Sequence, residues 1–153
     1  MQRKILVLGI GNTLLGDDGV GIYVARKMRE TCSQEGQIEI AEANVGGIAL
    51  LDLFSGYTKV VIIDAIITKK GRPGTLYKLS LEDLGTVVEP YMLHAIDLRT
   101  AVELGRMLGY HIPEDITLYA IEIRNNTIFT EGLSDDLEAV VPSVIKEITS
   151  DLT

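Results

Sequence analysis

The chain has 153 residues, of which 46% are hydrophobic, and a formal net charge of −8. That is enough apolar material for one compact core, and residues 1–153 are expected to form a single domain. The acidic balance argues against a nucleic-acid partner, which would demand basic surface. No apolar run approaches about 18 residues, so no membrane span is expected, and Met1-Gln2-Arg3-Lys4 leads straight into a strand-like segment, unlike a signal peptide. The only cysteine, Cys32, rules out an intramolecular disulfide and fits a cytoplasmic location; it reads as an ordinary structural residue.

Residues 4–9, apolar after Lys4, predict a strand buried on both faces. Val20, Val24 and Met28 recur at a spacing of four, with Ile22 and Ala25 beside them, and predict a helix over 18–32. A second strand is expected over 37–43, and Gly46-Gly47 breaks the chain before a short helix over 48–55. Lys59-Val60-Val61-Ile62-Ile63-Asp64 is the third strand, expected to end at Asp64. Gly71-Arg72-Pro73-Gly74 is a turn, followed by a strand over 75–79. A helix is expected from His94 to Leu108, a strong strand over 116–121, and a terminal helix from Leu133 to Leu152, kinked or split at Pro142. Strands alternating with helices predict an α/β fold of three layers: a twisted, mainly parallel sheet of about five strands, with helices on both faces. In such sheets ligands bind beyond the carboxyl ends of the strands.

The most informative segment sits at one such end. Gly9-Ile10-Gly11-Asn12-Thr13-Leu14-Leu15-Gly16-Asp17-Asp18-Gly19 is a glycine-rich turn between a strand and a helix. Turns of this kind usually cradle phosphate, yet this one ends in two aspartates, which repel phosphate and attract cations. The dinucleotide fingerprint fails because its third glycine would fall at Leu14, and the phosphate-binding loop fails because Asp17 and Asp18 stand where Lys and Ser/Thr are needed. There is no nucleophile-elbow serine and no His-Glu-x-x-His run.

Asp17 is assigned to capping the following helix, and Asp18 to the site. Asp64 ends the third strand, which brings it to the same edge if the first and third strands are neighbours. His94, at the expected start of a helix, adds an imidazole. Two oxygens and one nitrogen suit a borderline divalent ion, nickel or zinc, with positions left open for substrate. Asp18, Asp64 and His94 are therefore the candidate catalytic and metal-contacting residues. Gly11, Asn12, Gly16 and Asp17, with Gly46 and Gly47, are the candidate loop residues framing a substrate.

Four segments together resemble the nickel-iron hydrogenase maturation endopeptidases: Leu8 to Gly21, Gly46-Gly47-Ile48-Ala49-Leu50-Leu51-Asp52-Leu53, Val60 to Ala65, and Leu93-His94-Ala95-Ile96-Asp97-Leu98. The resemblance implies removal of a C-terminal extension from a hydrogenase large-subunit precursor after nickel insertion. It also implies that Asp18, Asp64 and His94 contact nickel delivered within that substrate. The family fold, a twisted mixed sheet between helices, agrees with the pattern read above. Many relatives carry a proline shortly after the last core strand, where this chain has Ile123. A monomer is expected.

Two other readings remain at this stage. The chain could bind a metal or the precursor without cutting. An acidic pair after strand one and an aspartate after strand three also match the outline of a phosphoaccepting receiver, but the lysine expected after the last strand is missing from Ala120-Ile121-Glu122-Ile123-Arg124.

Overall fold

The computed structural model describes residues 3–31, 36–85, 91–92, 98–124 and 128–152. Its centre is a sheet of strands β1 (Ile5–Ile10), β2 (Ile38–Ala43), β3 (Lys59–Ile67), β4 (Leu76–Ser80), β5 (Tyr91–Met92) and β6 (Asp115–Glu122). The order is β2-β1-β3-β6-β4, with β5 pairing β3. β1, β2, β3 and β6 run parallel, while β4 is antiparallel to β6 and β5 to β3. This is the expected α/β class.

All six residues of β1 are buried, because the strand is covered on both faces. Above one face lie α1 (Val20–Thr31) and α4 (Asp135–Leu152), which enclose Val7, Val61, Ile63, Tyr119 and Ile121. Above the other lie α2 (Leu51–Phe54) and α3 (Leu98–Met107), over Leu6, Leu8, Val60, Ile62 and Leu118. The four-residue apolar spacing of α1 is the reason it docks: Val20, Val24 and Met28 are all fully buried.

Gly21 lets the first turn of α1 approach the sheet. A Cβ there would lie 2.2 Å from the carbonyl oxygen of Ile63 and 2.6 Å from that of Ile10. Gly9 answers it from β1, where a Cβ would lie 2.4 Å from the Gly21 oxygen. The backbone that follows the glycine-rich loop is thereby drawn onto β1 and β3.

Three expectations change. β3 runs past Asp64 to Ile67, because β6 pairs with it as far as Ile66 and β5 takes up Ile66 and Ile67. A 3-10 turn, Gly16–Gly19, precedes α1, so the α-helix begins at Val20 rather than near 18. α4 is one helix with Pro142 inside it. Pro142 is exposed, so the carbonyl that loses its amide partner faces water and the helix continues. The expected helix from His94 is described from Leu98 onward as α3; His94 and Cys32 lie outside the described residues. Among the described residues no helix is long and apolar enough to cross a membrane.

Candidate functional site

Chain order reverses direction around β1: β2 lies on one side and β3 on the other. A parallel sheet opens a crevice beyond its carboxyl ends at such a point. The last β1–β3 pair is Gly9 with Ile63. Asp64 is the next residue of β3, placed where the pairing of β1 with β3 ends and before β5 joins at Ile66.

Asp64 is fully buried, and its Oδ1 accepts the amide of Ala65 at 2.8 Å. It alternates with Ile62 and Ile66, so it belongs to the face covered by α2 and α3. Its neighbour across the ladder is Ala120, a small side chain.

Asp18 lies in the 3-10 turn between β1 and α1, a turn that packs on β3. It is buried, 7% exposed, and its Oδ2 accepts the amide of Asn12 at 3.0 Å. The Asn12 Oδ1 in turn accepts the amide of Leu14 at 3.0 Å. Gly11 allows the loop to fold back: a Cβ there would lie 2.4 Å from the Asp18 carbonyl oxygen. Gly16 has φ +59°, left-handed backbone that glycine adopts without strain. Gly46 is extended, and Gly47 follows with φ +58° at the start of a second 3-10 turn.

Asp17 does something other than capping α1. Its two carboxylate oxygens accept the amide and the hydroxyl of Ser134, each at 2.7 Å, just before α4 begins. The intervening 3-10 turn moves Asp17 away from the N-cap position, and two donors of the returning chain take its place. Three further hydrogen bonds secure that chain. Thr130 donates to the Leu14 carbonyl at 3.0 Å, Gly16 donates to the Thr130 carbonyl at 2.8 Å, and Gly132 donates to the Tyr23 hydroxyl at 2.9 Å.

A third buried carboxylate was not singled out by the sequence pattern. Glu122, at the carboxyl end of β6, is 1% exposed and shares a sheet face with Asp64. It accepts the amide of Thr68 at 2.8 Å, the Thr68 hydroxyl at 2.5 Å and the Tyr77 hydroxyl at 3.1 Å. It fastens the β3–β4 connection to β6. The signal was present as a lone acid ending an apolar strand. Beside it, Ile123 donates its amide to the Ile66 carbonyl at 3.0 Å. A proline there could not make that bond.

Among the described residues no three His, Cys, Asp or Glu side chains converge on a metal-holding position. His94, the third candidate, lies outside them, within the undescribed residues 93–97. Met92 pairs with Ile66, two residues beyond Asp64, and Leu98 is buried on the same sheet face as Asp64.

Several clefts are present. One of about 580 Å³ lies between α1 and α4 and is lined by Tyr23, Val141, Pro142 and Ile145 among others. It is mostly apolar and sits on the face opposite Asp64, so its size does not make it the site. Two smaller clefts border the glycine-rich loop. One of about 290 Å³ includes Gly11, Asn12, Leu14 and Asn44, and another of about 300 Å³ includes Gly16, Asp17, Ile128 and Thr130.

A family model described as hydrogenase maturation protease matches residues 22–151. The hydrogenase 2 maturation protease of Escherichia coli (strain K12) is 28% identical over 153 residues, covering 97% of this chain and 90% of that protein. A solved structure of the hydrogenase maturating endopeptidase HybD from E. coli superposes with a TM-score of 0.83 at 26% identity, covering 98% of this chain and 92% of the other. A [NiFe] hydrogenase maturation protease, HybD from Thermococcus kodakarensis, superposes with a TM-score of 0.77 at 26% identity, covering 98% and 99%. With a buried aspartate at the β1–β3 crevice, an acidic glycine-rich turn packed against it, and these likenesses over nearly the whole length, the chain belongs to the hydrogenase maturation protease family.

Proposed function

We propose that this protein is the endopeptidase that removes the C-terminal extension of a nickel-iron hydrogenase large-subunit precursor, with nickel carried by that precursor as the recognition element. The observation that carries the reading is the pair of buried aspartates, Asp18 in the turn that follows β1 and Asp64 within β3, the strand paired with β1. Carboxylates withdrawn from water are costly unless a cation or donors compensate them. Oxygen donors, joined by the imidazole of His94, suit nickel that arrives already held by the substrate.

In this reading Asp18, Asp64 and His94 touch the metal of the bound precursor. That contact fixes one peptide bond in the crevice and removes the entropy of approach. Water attacks the carbonyl carbon, a carboxylate takes its proton, and the leaving amine is protonated as the C–N bond breaks. The chain has neither a nucleophile-elbow serine nor a thiol in a catalytic motif, and the protein is accordingly read as an aspartate-type hydrolase. It is placed in the cytoplasm and acts as a monomer.

The test is to mix the purified protein with nickel-loaded precursor and follow the mass of the large chain. Loss of one C-terminal fragment is expected. Stable association with no change of mass would instead support a precursor-binding module.

A further inference from the structure

Asp18 lies in a turn only weakly held from within. Gly16–Gly19 is a single 3-10 turn, a conformation of poor internal hydrogen-bond geometry, and the Asp18 amide reaches the Leu15 carbonyl only at 3.3 Å. The turn takes its shape from contacts on its two sides. On one side the Asn12 amide donates to the Asp18 Oδ2 at 3.0 Å, and Gly19 packs on Thr13, where a Cβ would lie 2.9 Å from the Thr13 Cα. On the other, Gly16 donates to the Thr130 carbonyl at 2.8 Å, and Asp17 accepts the amide and the hydroxyl of Ser134, each at 2.7 Å. Hydrogen bonds that end on a carboxylate are charge-assisted and strong.

Ser134 has an unusual role for its place. Its carbonyl accepts the Glu138 amide at 2.9 Å, which puts it at the N-cap of α4. A serine there ordinarily caps its own helix by accepting an amide of the first turn. Here its amide and its hydroxyl both turn to Asp17, 117 residues away in sequence. α4 covers the sheet face opposite the one that carries Asp64. The Asp17 carboxylate therefore serves the α4 side of the molecule and bears on the reaction through its neighbour, Asp18.

We infer that Asp17 and Ser134 are a positioning pair that fixes the Gly16–Gly19 turn, so that the Asp18 carboxylate stands in place for the metal of the bound precursor. Partners that orient a metal-contacting side chain are worth about 10–100-fold in affinity or activity. The inference rests on the endopeptidase reading and adds to it the two residues that place one of its acids.

The experiment compares the wild type with Asp17→Ala, Ser134→Ala, the two combined, and Ser134→Thr. Two quantities are read: kcat/KM per folded molecule on nickel-loaded precursor, and hydrogen exchange of the Asn12 amide, which the Asp18 carboxylate protects. Asp17→Ala is expected to lower kcat/KM about tenfold or more. It should also speed Asn12 exchange relative to amides in the middle of α1 and α4. Ser134→Ala keeps the backbone donor and should lower kcat/KM about threefold, the scale of one hydrogen bond. The combined variant should be no worse than Asp17→Ala, because the two residues act as a unit. Ser134→Thr retains the hydroxyl and should match the wild type in both readouts. A pair that only stabilises the fold would lower the urea midpoint and leave both quantities unchanged. Either quantity unchanged in Asp17→Ala overturns the positioning pair while leaving the endopeptidase reading intact. If the wild type binds the precursor without cutting it, the endopeptidase reading fails and Asn12 exchange alone decides: faster exchange keeps the pair, and unchanged exchange overturns it.

Discussion

The two faces of the sheet are built from the same strands and have opposite character. Toward α1 and α4, β3 and β6 present Val61, Ile63, Ala65, Tyr119 and Ile121, all part of one apolar core. Toward α3 the same strands present Val60 and Ile62, then Asp64, and Ile116, Leu118 and Ala120, then Glu122. Apolar packing extends the full length of one face, whereas the other gives way to carboxylates at its carboxyl end. Because side chains alternate along a strand, neighbouring residues such as Ile63 and Asp64 serve separate purposes: one holds the fold and the other faces the crevice.

That contrast can be broken by mutation. The largest effect is expected on the α3 face. Asp64→Asn and Asp18→Asn should each lower the rate of precursor cleavage at least about 100-fold, the scale of a lost acid–base or charge-contact group. The far-UV circular dichroism of both should match the wild type, and full activity in either would remove that residue from the site. Next comes the opposite face. Ile63→Ala should cost about 2–5 kcal/mol in urea unfolding, through lost burial and a residual cavity, while cleavage per folded molecule stays near the wild-type rate. A large drop in that specific activity would show that the two faces are not separable.

The smallest effect belongs to the rim. Arg26 of α1 grips Glu42 of β2 through both carboxylate oxygens, at 2.8 and 3.0 Å. This bond holds the Glu42 carboxyl below its ordinary pKa. A depressed folded-state pKa gives stability that is complete above the ordinary carboxylate range. It is lost as pH falls through the depressed value. Both side chains are partly exposed, so water screens the pair, and Glu42→Gln should cost under about 1 kcal/mol near neutral pH. The difference from wild type should vanish in acid. A difference that persists below the depressed value would mean packing rather than charge.

Much of this arrangement was legible in the chain. The apolar runs at Ile5–Ile10 and Val60–Ile63 could only be buried strands, and the spacing of Val20, Val24 and Met28 could only be a helix facing a core. Asp64 was visible because an acid follows four apolar residues. Its position inside β3 was not, since the strand is extended by partners distant in sequence, Met92 and Glu122 among them. Asp17 was misread as a cap for α1 because its true donors, the amide and hydroxyl of Ser134, are also distant in sequence. The hydrogen bonds that tie Thr130 and Gly132 to the glycine-rich loop and to Tyr23 are hidden for the same reason: bonds between loops leave no periodicity to read.

The central claim is that the two buried aspartates recognise a metal brought in by the substrate. Initial cleavage rates on nickel-loaded and nickel-free precursor, compared at equal concentration, test it most directly. The account predicts that the loaded form is cut at least about tenfold faster, since only it is held in the crevice. Equal rates on the two forms would contradict it.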